Sequence, residues 1–141
     1  IFARFLTYTG LVRDISDYMV ALELAPIWYM LGFVVLYIIL GMLIEPIGIM
    51  VMTLPLMFPI MTSVGYDPIW LGVIAIKLAE ISMITPPVGL NVYVVRSSSP
   101  VPLSLEQVFA GVTPFLLMDL VTLGLLIAFP QIVLFLPDLM G

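Results

Sequence analysis

The sequence predicts an all-α integral membrane protein in which a re-entrant helical hairpin precedes a discontinuous transmembrane helix. Three observations predict it. Of 141 residues, 63% are hydrophobic and 9% are charged, whereas a soluble domain carries roughly 25% charged and about 45–50% apolar residues. Two apolar arms meet at Glu45-Pro46 with almost no polar loop between them. A later apolar run is interrupted near its middle by ITPPVGLN, residues 84–91.

The composition also excludes. A mean hydropathy of +1.29 rules out an ordinary globular domain, a disordered tail and a nucleic-acid binder, which needs basic surface. With no His and no Cys, zinc sites, disulfides, thiol nucleophiles and His-based acid–base chemistry fall away together. No nucleophile–base pair is visible, so the chain reads as no enzyme. No basic n-region leads a short apolar stretch to a cleavage site, so no signal peptide is expected. The start at Ile1 reads as a cut inside the membrane domain of a longer polypeptide. Four Lys/Arg are too few to orient the chain in the bilayer.

Each element follows in order. Residues 1–26 read as the end of a preceding segment and an amphipathic arm over 9–24. Leu11, Ile15, Tyr18 and Leu22 recur there at helical spacing, with Arg13, Asp14, Asp17 and Glu23 around the rest of the circumference. Such a helix lies in the interface plane or on a partner. Pro26 suits the first turn of a new helix, because its missing N–H loses nothing there. Residues 27–64 form the hairpin, its tip near 43–48. Each arm is about 24–27 Å long, short of a hydrocarbon core of roughly 30 Å, so the tip is expected inside the membrane. One long kinked helix is the competing reading. Backbone freed at that depth must be buried in protein or face a watery cavity.

Asp67-Pro68 supplies an N-cap and a first helical residue for a helix over 67–96, broken at 84–91. Residues 97–103, SSSPVPL, form a polar loop. Ser104 and Gln107 resemble a capping box that opens a last segment over 104–137. Within it 112–136 is the expected span, with Asp119 in its first half and Pro130 near its end. Trp28 and Trp70 sit just inside helix starts, where aromatic belts form.

Chemistry concentrates at the two breaks. Pro86 and Pro87 leave the carbonyls of Ser82 and Met83 without their helical donors, and the residues before each proline, Thr85 and Pro86, should be extended. Gly89 permits a conformation that a side chain forbids. Two half-helices with an unwound link result, free carbonyls at one end attracting a cation and free N–H groups at the other an anion. Thr85 and Asn91 add neutral oxygens, which suit Na+ better than a transition metal. A plain proline kink is the competing reading. Glu45, a carboxylate expected inside the membrane, implies a function or a partner: cation ligand, cap of the second arm, or contact with interfacial water. Pro46 frees the Met42 carbonyl, and Gly41 and Gly48 allow close backbone approach. Lys77 and Glu80, three apart on one helix, can pair, and mutual neutralisation is preferred over a proton relay. Asp119 either contacts another helix or lies near the interface.

This order of hairpin, PPVGLN break, loop and last helix resembles the C-terminal half of the large membrane subunit of TRAP transporters, the tripartite ATP-independent periplasmic carriers. The resemblance covers nearly the whole chain. It is strongest in GYDPIWLGV (65–73), EISMITPPVGLNVYVV (80–95) and VFAGVTPFLLMDLVTLGLLIAFPQIVLFLP (108–137). It implies one half of an inverted-repeat, elevator-type transporter, like others of the ion transporter superfamily, in the bacterial inner membrane as a multi-pass protein. Na+ would be the coupling ion and an organic anion the substrate, with no other cofactor. By the resemblance Ile44, Glu45, Gly48, Ile84, Thr85, Pro87 and Gly89 are candidate Na+ ligands, and Pro46, Pro86, Val88 and Asn91 candidate walls of the substrate site. The expected partners are the lipid bilayer, a small DctQ-like membrane subunit and a DctP-like periplasmic solute-binding protein. The 9–24 arm would join scaffold to elevator. The tip departs from the family in carrying Glu45-Pro46 where an Asp followed by a small residue is more usual, which shifts weight to backbone carbonyls. Two alternatives remain: an H+-coupled carrier of the same design working through Glu45 or Asp119, and a non-transporting membrane anchor subunit.

Overall fold

Prolines set where the helices begin. The computed structural model describes residues 8–21 and 24–140, and every regular element among them is an α-helix. In chain order they are α1 (Leu11–Ala21), α2 (Pro26–Gly41), α3 (Pro46–Ser63), α4 (Pro68–Ser82), α5 (Leu90–Ser98), α6 (Leu105–Ala128) and α7 (Gln131–Met140). Pro26, Pro46 and Pro68 each open a helix. Asp67 caps α4 by accepting from the amides of Ile69 and Trp70 at 2.8 and 3.0 Å. Ser104 and Gln107 exchange both bonds of a capping box at the start of α6. Of the arm, α1 covers 11–21 and lies against α3. Residues 1–7, Leu22 and Glu23 fall outside the described part.

Helix α4 is the hub. It packs against α2, α3, α6 and α7 and buries Trp70, Leu71, Ile74, Ala75, Leu78, Ala79, Ile81 and Ser82. The α2 face turned inward is a single stripe, Tyr29, Met30, Phe33, Tyr37 and Gly41, set by the 3.6-residue period. The opposite face, with Leu31, Val35 and Ile39, stays exposed, as a lipid-facing surface should. Helices α2 and α3 form a hairpin through the turn at 42–45. Its arms are joined by a hydrogen bond of 2.6 Å shared by the hydroxyls of Tyr37 and Thr53. At the hairpin's open end Tyr66 donates to the Pro26 carbonyl at 3.0 Å and stacks on Trp70. Burial pushes the Tyr66 phenol above its ordinary pKa, so it keeps the proton it donates.

Two described helices, α3 and α6, are long and apolar enough to cross a membrane. At 1.5 Å per residue they measure about 27 and 36 Å. Two expectations are corrected here. The last span does not run from 112 to 136: α6 ends at Ala128, and α7 turns back onto α4. The cause is Pro130, which cannot donate and which pushes Phe129 out of the helical region, to φ −128° and ψ 75°. Trp70 is no interfacial anchor either. It is 2% exposed and donates Nε1–H to the Leu126 carbonyl at 2.8 Å. Its ring fills the seam between α4 and α6. Trp28, by contrast, is exposed.

Candidate functional site

The site is built where two helices end together. Gly41, the last residue of α2, lies so close to Ser82, the last residue of α4, that a Cβ on Gly41 would overlap both Oγ and Cβ of Ser82. Ser82 is fully buried, and its Oγ donates to the Ala79 carbonyl at 2.7 Å. The hairpin turn therefore abuts the break at backbone level. Each helix end carries a fraction of a negative charge on carbonyls that lack helical donors, and here two such ends converge.

At the tip, Glu45 is the N-cap of α3. Its carboxylate accepts from the Gly48 amide at 2.8 Å and from the Ile47 amide at 3.4 Å. Gly48 backs this cap closely, because a Cβ there would lie 3.1 Å from Ile44 and 3.3 Å from Glu45 Oε1. The Ile44 amide bonds the Leu40 carbonyl at 2.9 Å, and Pro46 is the half-buried first residue of α3. Among the described residues, no hydrogen bond reaches the carbonyls of Gly41, Met42, Leu43 or Ile44.

In the break, Thr85 donates its hydroxyl to the Ile81 carbonyl at 2.6 Å, leaving that oxygen's lone pairs available. The Pro86-Pro87 peptide is cis. Gly89 stands at φ +55°, the left-handed region, buried beneath Phe109 of α6, whose Cε1 lies 3.3 Å from where a Cβ would project. One expectation fails in detail. The carbonyls of Ser82 and Met83 are not orphaned: the first accepts from the Thr85 amide at 3.3 Å, the second from the Asn91 amide at 3.1 Å. A tight turn before the prolines and the left-handed step at Gly89 return donors to them. The free oxygens sit further on, since among the described residues no hydrogen bond reaches the carbonyls of Ile84, Thr85, Pro86, Pro87 or Val88. Pro86, Pro87 and Asn91 are exposed, Val88 half-buried.

A hard, weakly binding cation fits this donor set. The available groups are neutral carbonyl oxygens and one hydroxyl, and among the described residues no cluster of three His, Cys, Asp or Glu could hold a metal ion. The second half-helix, α5, opens at Gly89 with no side-chain cap; Asn91 donates its amide to the Met83 carbonyl and Val92 to the Gly89 carbonyl, which leaves the Leu90 N–H and the positive end of the dipole for an anion.

Lys77 and Glu80 do pair, at 3.3 Å, but the shorter bond, 2.6 Å, joins Lys77 to Asp119 on α6. That resolves Asp119 as an interhelical contact, which no local pattern could disclose across 42 residues. The ring of Phe109 over Gly89 was equally invisible. The contact of Gly41 left a trace, a glycine in register with the Phe33 and Tyr37 stripe.

The family described as "Tripartite ATP-independent periplasmic transporter, DctM component" matches residues 1–132. The chain is 34% identical over 141 residues to the C4-dicarboxylate TRAP transporter large permease protein DctM of Pseudomonas aeruginosa, covering 100% of this chain and 33% of that protein. It is 33% identical over 129 residues to the sialic acid TRAP transporter large permease protein SiaM of Vibrio cholerae, 92% of this chain and 30% of that protein. To the ectoine/5-hydroxyectoine TRAP transporter large permease protein UehC of Ruegeria pomeroyi it is 34% identical over 117 residues, 83% and 27% of the two. The chain spans about a third of the length of the curated relatives it matches.

Proposed function

The chain belongs to the DctM family of TRAP transporter large permeases, and on that premise we propose that it is the C-terminal portion of such a permease. The whole protein would import an organic acid, such as a C4-dicarboxylate or sialic acid, together with Na+ across the bacterial inner membrane. In this reading α2 and α3 are a re-entrant hairpin, α4 and α5 a discontinuous transmembrane helix, and the two together half of an inverted-repeat elevator. A small membrane subunit and a periplasmic solute-binding protein complete the transporter.

The observation that carries the reading is the meeting of Gly41 with Ser82. It sets the end of α2 against the end of α4, and the carbonyls without a hydrogen bond among the described residues, 41–44 and 84–88, follow directly or closely on that contact in each chain segment. These carbonyls, with Thr85 Oγ1, would hold Na+. The bound ion supplies a positive charge that favours an anion beside it. The uncapped start of α5 and the Asn91 side chain face the same task from the other half-helix. Pro46, Pro86 and Val88 provide wall without competing donors. Glu45 is engaged as a cap and Asp119 by Lys77, which leaves the neutral oxygens as the donors for a cation.

Uptake by the full-length permease, reconstituted with its partners, tests this. Replacing Na+ by choline should abolish accumulation. Thr85→Val, Asn91→Ala and Pro87→Ala should each lower uptake roughly tenfold or more. Unchanged Na+-driven uptake in all three would sink the site assignment, and uptake indifferent to choline would sink the coupling.

A further inference from the structure

Helix α6 is long and thinly held. Of its 24 residues, only Val108 and Leu123 are buried, while Phe115, Leu117, Met118 and Val121 are exposed. Sparse apolar packing cannot fix the register of such a helix, so directional contacts must. Three are present. Trp70 Nε1–H bonds the Leu126 carbonyl at 2.8 Å. Lys77 Nζ meets Asp119 Oδ1 at 2.6 Å. The Phe109 ring lies on Gly89. Seven residues forward along α4, from Trp70 to Lys77, match seven residues back along α6, from Leu126 to Asp119. That is two helical turns, about 10.5 Å, on each antiparallel helix.

We infer that Lys77 and Asp119 are positioning residues, whose ion pair is the central tie that sets α6 against α4 and so keeps Phe109 seated on the left-handed Gly89 of the break. The inference rests on reading residues 84–89 as the ion site. An unpaired Lys or Asp within a membrane is expensive, and removing one partner of this half-buried pair leaves the other without its counter-charge. A slip of α6 by one turn would part Lys77 from Asp119, Trp70 from Leu126 and Phe109 from Gly89 at once. The charge pair therefore selects one register, where apolar contacts alone would tolerate several. Glu80 tightens the selection, because its bond to the same ammonium, 3.3 Å, holds Lys77 from its own helix. With Phe109 in place a Cβ at Gly89 would be crowded by the ring and by the backbone of Thr85 and Ile84 at 3.3–3.4 Å, and the carbonyls of 84–88 are thereby held in one arrangement.

The test uses the full-length permease with its partners in proteoliposomes and two readouts. One is the rate at which N-ethylmaleimide labels Val88→Cys in an otherwise Cys-free permease. The other, measured without that reporter, is the Na+ concentration for half-maximal uptake. Asp119→Asn should raise both about tenfold, a typical size for coupling between packed sites, and leave the half-saturating substrate concentration within about twofold. The exchanged pair, Lys77→Asp with Asp119→Lys, should restore both readouts. Phe109→Ala, which keeps the ion pair, should reproduce the Asp119→Asn effects even where the charge variants fail to insert. A pair that merely stabilises would lower the melting temperature and leave labelling and Na+ half-saturation unchanged. That result, or an exchanged pair no better than Asp119→Asn, overturns the inference. If wild-type uptake ignores Na+, the transport reading fails and the labelling rates still decide the role of the tie.

Discussion

Two of the breaks between the described helices, at 42–45 and at 83–89, solve the same backbone problem in opposite ways. Both end one helix and begin another, and both leave the new helix's first amides to find acceptors or stay open. At the hairpin tip Glu45 covers the amides of Ile47 and Gly48, so the positive end of α3 is spent on the chain's own carboxylate. At the second break Gly89 offers no side chain, and the early amides of α5 turn to backbone instead, Asn91 to the Met83 carbonyl and Val92 to the Gly89 carbonyl. The negative ends converge instead, α2 on α4 through Gly41 and Ser82. The difference teaches a division of labour. In the proposed site the tip, its helix start closed by Glu45, would contribute carbonyls alone, while the second break would contribute carbonyls and leave the Leu90 N–H for an anion.

The largest effect should come from separating the two breaks. Gly41→Ala places a Cβ on top of Ser82 Oγ and Cβ, and because one of those atoms is itself a Cβ, rotating the serine cannot relieve it. Overpacking of this kind costs about 1–3 kcal/mol, so Na+-driven uptake should fall roughly 10- to 100-fold. Adding Ser82→Gly removes both clashing atoms and should recover most of the loss. A Gly41→Ala permease that transports normally would show that the breaks need not touch.

A smaller effect distinguishes the second break from an ordinary turn. Gly65 and Gly89 both hold positive φ, +100° and +55°. Alanine at either meets backbone strain of about 1–2 kcal/mol. A Cβ at Gly65 would meet nothing within 4 Å, whereas one at Gly89 would lie 3.3–3.4 Å from Phe109, Thr85 and Ile84. Gly65→Ala should therefore lower thermal stability and leave half-saturating Na+ unchanged. Gly89→Ala should shift half-saturating Na+ by roughly tenfold. Equal behaviour of the two would reduce the break to a structural kink.

Much of this arrangement was legible in the sequence because local rules govern helix ends. Pro26, Pro46 and Pro68 mark their boundaries through a missing donor, and Asp67 and the Ser104/Gln107 pair through bonds that span three residues or fewer, which the structure makes. The TPPVG run marks its break for the same reason. What local rules cannot carry is the partner across space. Lys77 had two acidic candidates, Glu80 nearby and Asp119 far off, and spacing favours the near one, yet the shorter bond goes to the far one. Trp70 sits at a helix start, where an interfacial role is the usual reading, and only the packing of α6 shows it buried. Pro130 was visible as a residue, but its power to stop α6 and turn α7 back depends on α4 offering a surface to dock on. Orphaned carbonyls were displaced from Ser82 and Met83 to 84–88 by a turn whose geometry depends on Gly89 and its cover.

The smallest expected effect bears most directly on the contrast between the breaks. If Glu45 acts as a cap, its function is geometric: an oxygen within reach of two amides. Glu45→Gln keeps such an oxygen and removes the charge, so it should cost only a few tenths of a kcal/mol, and Glu45→Ala about 1 kcal/mol, the usual loss of an N-cap. Melting temperatures of the purified permease in detergent should follow that order. Half-saturating Na+ should move by less than about twofold in Glu45→Gln, since neutralisation leaves the carbonyls of 41–44 where they are. A carboxylate that ligates the ion directly would behave otherwise, because its charge, and not its position, would set the affinity. A tenfold rise in half-saturating Na+ for Glu45→Gln, with stability intact, would move Glu45 from the cap into the ion site and make the tip the dominant break of the two.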